Sequence, residues 1–202
     1  MVEQLFCNIN NKSSVYRYKS ELFGACTYFI LEKEILYIVD PGYFNNHVFD
    51  WVYKHNNRKI IVFITHEHFD HHFHANEILL MDNAISYSPS KEFQTAVKDL
   101  RINLSYYYGY NVETILKDGI ESFKFHVIKT PGHSKESYCY WYDGILFGGD
   151  TVIEKKNLVL KLPGSNKIEF MNSYNLLNST IDNNTIVLPG HGDLFYFNEW
   201  EL

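Results

Sequence analysis

The 202 residues carry 18 Lys and Arg against 24 Asp and Glu, a formal net charge of −6, with 46% hydrophobic and 21% charged positions. A chain of this size buries roughly 70% of its unfolded surface without disulfide staples, so one ordinary globular domain spanning residues 1–202 is expected. The acidic balance excludes a nucleic-acid surface, which needs clustered Lys and Arg. Cys7, Cys26 and Cys139 are too few and too scattered for a disulfide framework or a thiolate zinc knuckle, which points to a cytoplasmic setting. The start lacks a signal-peptide pattern and no run approaches ~18 apolar residues, so no membrane partner is expected.

In chain order, strands are predicted over residues 4–9, 14–19, 26–31 and 35–39, the last two split by Glu32-Lys33-Glu34 and the last closed by Asp40-Pro41-Gly42. A helix follows over 46–54, where Val48, Trp51 and Val52 share one face. Residues 59–65 form an almost wholly apolar run, the mark of a strand covered on both faces. Residues 75–81 and 90–104 read as helices, with a strand over 84–87 between them. A strand over 123–130 and a hairpin follow, the latter built from 138–142, the type I′ pair Asp143-Gly144, and 145–147. A helix over 169–179 and a strand over 185–188 complete an α/β alternation.

The histidines are unevenly placed: there are 10 His, and five of them fall between His66 and His74. In Thr65-His-Glu-His-Phe-Asp-His-His72, residues two apart point to different sides of a helix, so His66 and His68 can share a target only if extended or looped. Asp70 and His71 would follow at the start of a helix. Imidazole and carboxylate are good ligands for Zn, Fe or Mn, and four such groups within this short run exceed the local need of one tetrahedral ion. The pattern points to two ions. Further donors follow predicted strands, each after a glycine: His133 in Pro-Gly-His-Ser, Asp150 in Gly-Gly-Asp-Thr and His191 in Pro-Gly-His-Gly.

With these motifs in this order, together with Asp40 in Val-Asp-Pro-Gly, almost the whole chain resembles the metallo-β-lactamase-fold hydrolases, especially the glyoxalase II-like branch. The resemblance implies a four-layer αββα sandwich with two divalent metal ions, zinc first and iron or manganese as alternatives. It implies that His66, His68 and His133 hold one ion, that Asp70, His71 and His191 hold the other, and that Asp150 bridges them. Asp40 would orient a ligand or its loop, and Asp70 would act as the catalytic carboxylate. The implied activity is hydrolysis of a small ester, thioester or lactone by metal-bridging hydroxide. A phosphodiesterase, a mononuclear iron persulfide dioxygenase and a non-catalytic metal-binding protein remain as alternatives.

Departures from the family pattern narrow this further. The mixed-site lactamase branch uses a cysteine where this chain has Asp150. Eleven residues follow His191, so the helical extension that grips glutathione is not expected. After His133, the stretch Lys135-Glu136-Ser137 replaces a glycine common in relatives. Tyr43 and Phe44, after Asp40, and Lys161, after Asp150, are candidate contacts for a small-molecule substrate. The segment from Tyr106 to Tyr110 reads as packing, a subunit contact or the wall of an apolar pocket. His72 and His74 are expected to hydrogen-bond or lie at the surface, Cys139 to sit in the core, and His47, His55 and His126 to be structural.

Overall fold

The computed structural model describes residues 1–8, 13–117, 124–154 and 158–202. Ile9 and Phe123, each at one end of a predicted strand, lie outside these residues. Among the described residues the first sheet has the order β1(Glu3–Asn8), β2(Ser13–Lys19), β3(Cys26–Leu31), β4(Ile35–Val39), β5(Lys59–Phe63), β6(Ala84–Ser86). Its hairpin-linked strands are antiparallel, and it becomes parallel at β4–β5 and β5–β6. The second sheet has the order β11(Phe195–Tyr196), β10(Ile186–Pro189), β9(Ile145–Gly149), β8(Tyr138–Tyr142), β7(His126–Lys129), with β9 and β10 parallel. In the hairpin joining β8 to β9, Asp143 and Gly144 have φ of 49° and 76°, the left-handed pair that a type I′ turn requires.

Alternation along the strands separates two apolar layers. Tyr138, Tyr140, Tyr142, Ile145 and Phe147 face the first sheet, where Tyr140 packs on Phe63 at 5.0 Å and Phe147 on Tyr28 at 5.7 Å between ring centroids. Cys139, Leu146 and Val187 point the other way, onto Phe170 and Leu177 of α4(Lys167–Thr180). The opposite face of the first sheet is covered by α1(Asn46–Lys54), whose Trp51 lies 4.8 Å from Phe29, and α2(Ala75–Leu79) joins the same core. The order is therefore helix, sheet, sheet, helix, because β3, β4 and β5 must bury both faces.

Three of the departures from the sequence reading have local reasons. The predicted helix 90–104 stops early, as α3(Lys91–Lys98). Asp99 turns to extended backbone, and its Oδ1 accepts from the N–H groups of Arg101 and Ile102, a local turn that competes with the helix. Asp70 and His71 lie in a single 3-10 turn, Phe69–His71, rather than at a helix start. The strand predicted over 59–65 ends at Phe63, because Thr65 donates its N–H to the Asp40 side chain and not to a neighbouring strand. Among the described residues no helix is long and apolar enough to cross a membrane.

Candidate metal centre

The predicted ligands all follow the C-terminal ends of strands, and both sheets deliver their ends to one rim. The first sheet contributes Asp40 after β4 and His66 to His71 after β5; the second contributes His133 after β7, Asp150 after β9 and His191 after β10. Their donor atoms fall into three groups, His66/His68/His133, His66/His71/Asp150 and Asp70/His71/His191, each within 4.8 Å. Asp150 lies between the other two groups, with Oδ1 3.6 Å from His71 Nε2 and Oδ2 3.7 Å from both His133 Nε2 and His191 Nε2. Asp70 Oδ2 is 3.3 Å from His191 Nε2 and 3.7 Å from His71 Nε2.

Hydrogen bonds behind the rings set how they face this space. Carboxylates and carbonyls only accept. His71 Nδ1 therefore donates to Asp40 Oδ2 at 3.0 Å, and His133 Nδ1 donates to the Val159 carbonyl at 3.0 Å. Thr65 Oγ1 gives its proton to Asp40 Oδ2 at 2.7 Å, so His66 Nδ1, 3.1 Å away, donates to that hydroxyl. In each ring so bonded Nε2 faces the cluster, where His133 Nε2 accepts from His68 Nδ1 at 3.0 Å and His71 Nε2 lies 3.3 Å from His191 Nε2. His66 Nε2, His68 Nε2 and Asp150 Oδ1 are buried without any hydrogen-bond partner. Orphaned buried acceptors are costly unless something binds them, and back-bonded imidazoles are the usual dress of metal ligands. The residues present thus fit a divalent cation.

Electrostatics divide the cluster. Burial, then the neighbouring imidazoles, push His66 well below its ordinary pKa, and burial with His133 takes His68 down to about 3. Burial opposes the charge on His71, but Asp70, Asp150 and Asp40 outweigh it and carry that ring up to about 10. Asp70 is held below the usual carboxylate range: burial raises it, and His71 and His191 more than compensate. The same balance, with His191 first among the compensating groups, lowers Asp150.

The glycines required by approach distance include two that bear on the ligand loops. A Cβ on Gly190 would collide with Asp150 Oδ1 and stand 2.7 Å from His71 Cε1. A Cβ on Gly132 would run into the Phe170 backbone, so this position lets α4 close on the loop that bears His133. Asp40 itself adopts φ 53°, in the left-handed region, and both its carboxylate oxygens are used, Oδ1 by Thr65 N–H at 2.6 Å.

The structure also shows partners that sequence reasoning did not single out. Glu67 is buried between His66 and His68, and its Oε2 accepts from Ser134 Oγ at 2.6 Å, tying the first histidine loop to the His133 loop. In the stretch 135–137, Glu136 turns inward to Lys129 Nζ and Tyr138 OH, and Ser137 reaches Ser134. His72 is buried, donating from Nε2 to the Glu67 carbonyl and bonding Thr114 through Nδ1; His74 Nδ1 accepts from Phe44 N–H. Cys139 is buried, while His47 and His126 are exposed.

A cavity of about 230 Å³ opens beside the donors, lined by Phe23, Phe69, Leu104, Tyr108, Val159 and Leu162 together with His68, Asp70, His133, Asp150 and His191. The three expected substrate contacts do not line it. Phe44 is 3% exposed and packs on Phe29, Phe49 and Tyr18, because the chain after Asp40 turns its ring into the core. Tyr43 lies behind the wall, its ring against Phe73 and Phe23. Lys161 is exposed, while the half-buried Leu162 and the exposed Val159 border the cavity instead. A phenylalanine between two ligands, as Phe69 is, was the available signal for the wall.

The profile of the Metallo-beta-lactamase superfamily matches residues 22–191. The chain belongs to this superfamily and has its fold. A probable metallo-hydrolase of Methanocaldococcus jannaschii is 26% identical, covering 85% of this chain and 89% of that protein. A hydroxyacylglutathione hydrolase of Buchnera aphidicola is 28% identical over 76% of this chain and 56% of its own length. The solved B3 metallo-β-lactamase BLEG-1 superposes with a TM-score of 0.72 at 23% identity, covering 98% of this chain and 95% of that one. At the level of the superfamily the protein is a metal-binding hydrolase.

Proposed function

We propose that the protein is a dinuclear metallohydrolase that cleaves a small ester, thioester or lactone. The observation that carries this reading is the set of back-bonded imidazoles, His66, His71 and His133, whose Nε2 atoms converge on a shared carboxylate, with the Nε2 atoms of His66 and His68 orphaned. His66, His68 and His133 would hold one ion, Asp70, His71 and His191 the second, and Asp150 would face both. Zinc suits this all-imidazole and carboxylate donor set, which iron and manganese also accept. When bound, two adjacent cations lower the pKa of a water between them and polarise the scissile oxygen.

The chain's own residues supply position and proton handling. Asp40 fixes the ring of His71 and the start of the histidine loop through Thr65. Asp70 borders the cavity with Oδ2 turned toward His191 and His71, where it can hold a proton in transit to the leaving group. The apolar wall excludes water from one side of the scissile group. The cysteines are free thiols, Cys26 and Cys139 buried, which supports a reducing, cytoplasmic setting.

The test is turnover by zinc-loaded protein of a panel of short esters, thioesters, lactones and phosphodiesters. Hydrolysis of the carboxylic acid derivatives is expected. Consumption of oxygen on a persulfide by protein loaded with one iron per chain, with no hydrolysis by the zinc form, would establish the dioxygenase alternative instead.

A further inference from the structure

The cavity beside the donors has two unlike halves. One is the ligand cluster. The other, formed by Phe23, Phe69, Leu104, Tyr108, Val159 and Leu162, is apolar but for the Tyr108 hydroxyl, and no described Lys or Arg lines it. From these observations we infer that the site selects an uncharged, medium-length acyl group, of about four to six carbons, and seats its hydrocarbon tail against this wall. The inference deepens the hydrolase reading and rests on it only for turnover.

The wall is a constructed feature and not incidental packing. Phe69 sits between the donors His68 and Asp70, and its ring meets Phe23 edge-on at 5.1 Å and Tyr108 at 5.4 Å. Tyr110 stacks behind it at 5.6 Å. Leu104 is held at φ 71°, a left-handed conformation that a branched side chain seldom adopts, and Gly109 at φ 77° ends the turn that follows. Asn103 maintains that strain: its amide donates to the Val97 and Val112 carbonyls, its Oδ1 accepts from Ser105 N–H, and its carbonyl accepts from Phe69 N–H at 2.9 Å. The last bond ties the wall directly to the ligand loop. Strained backbone over-determined in this way is typical of ligand contacts.

Size and charge then limit the occupant. At ~30 Å³ per water-sized group, about 230 Å³ admits roughly eight such groups, the scissile atoms included. A terminal carboxylate or phosphate on the tail would meet aromatic and aliphatic faces with no described Lys or Arg among them to pair it, a costly burial.

Two measurements on the full chain test this. In the first, zinc-loaded protein is given thioesters of one leaving group with acetyl, butanoyl, hexanoyl, octanoyl, dodecanoyl and adipoyl acyl parts. Expected are a rise in kcat/KM of about threefold to fourfold per methylene up to hexanoyl, a fall by dodecanoyl, and adipoyl at least tenfold below hexanoyl. Leu162→Ala and Tyr108→Ala, at half-buried and exposed positions, should each lower the ratio of hexanoyl to acetyl at least fivefold. A flat chain-length profile, an adipoyl rate equal to hexanoyl, or unchanged ratios in both variants would overturn the inference. In the second, 2-octanone and acetone, which cannot be hydrolysed, are titrated calorimetrically. At least thirtyfold tighter binding of 2-octanone, weakened by Leu162→Ala, is expected, and equal affinities would overturn it. Selective 2-octanone binding with no turnover of any ester, thioester or lactone would uphold the pocket and reject the hydrolase reading.

Discussion

Asp40 shows how much of the centre depends on one side chain that is not a ligand. It occupies left-handed backbone at φ 53°, a conformation Asp tolerates better than most residues, and its two oxygens accept hydrogen bonds from Thr65 N–H, Thr65 Oγ1 and His71 Nδ1. Asp40→Ala should weaken metal affinity by about tenfold to a hundredfold, read by competition with a chromogenic chelator. Asp40→Asn should lose affinity as well, since its amide nitrogen must face a donor, yet melt above the alanine variant because Asn accepts the same backbone. Gly190→Ala acts from outside the ligand set: its methyl would collide with Asp150, so metal content should fall while far-ultraviolet circular dichroism stays native. The clustered donors were legible in the sequence because they follow strand patterns, four of them in one histidine-rich run and the other three, His133, Asp150 and His191, each after a glycine. Glu67, Ser134, Phe23 and Leu104 were not, since their roles come from contacts across distant stretches of chain, such as Ser134 Oγ to Glu67 Oε2. Phe44 misled for the same reason: adjacency to Asp40 in sequence does not decide which way the ring turns.

At the level of elements, the strands hold the ligand loops by bonds that cross between sheets. Tyr140, fully buried in β8, donates its hydroxyl to the Ile64 carbonyl at 2.9 Å, and the next such tie is Tyr138 N–H to the Thr65 carbonyl at 2.7 Å. Tyr140→Phe preserves the ring contact with Phe63 and orphans that carbonyl, a loss of about 1–3 kcal/mol. The melting temperature should drop by roughly 2–12 °C for a chain of this length, measured by calorimetry. An unchanged melting temperature would show that the bond contributes nothing to holding the loop. Regular elements were readable where local signals agreed. Ser90 accepts from Phe93 N–H and starts α3, and Asp143-Gly144 turns the hairpin with both φ angles positive. The end of α3 was not readable, because the apolar spacing continues past Lys98 while the Asp99 side chain captures two backbone N–H groups. The short strand β11 gives no pattern of its own; it forms only by pairing with β10.

For the molecule as a whole, the donor cluster joins the two sheets at one rim. Protein bonds already cross there, from Cys26 N–H to the Gly190 carbonyl and from Tyr28 OH to the Pro189 carbonyl, both at 2.7 Å. A cation held by His68 and His133 adds a further link between layers, so binding should stabilise the entire fold. Free zinc at a hundred times its dissociation constant contributes about 2.7 kcal/mol per site, and the melting temperature should rise by roughly 5–11 °C for each site filled and fall again with chelator. The most direct test of the two-ion centre is the number of zinc equivalents bound per chain, by elemental analysis after equilibration and desalting. Two in the native protein and no more than one in Asp150→Ala is the predicted result; a single ion in the native protein, or two retained without Asp150, would contradict it.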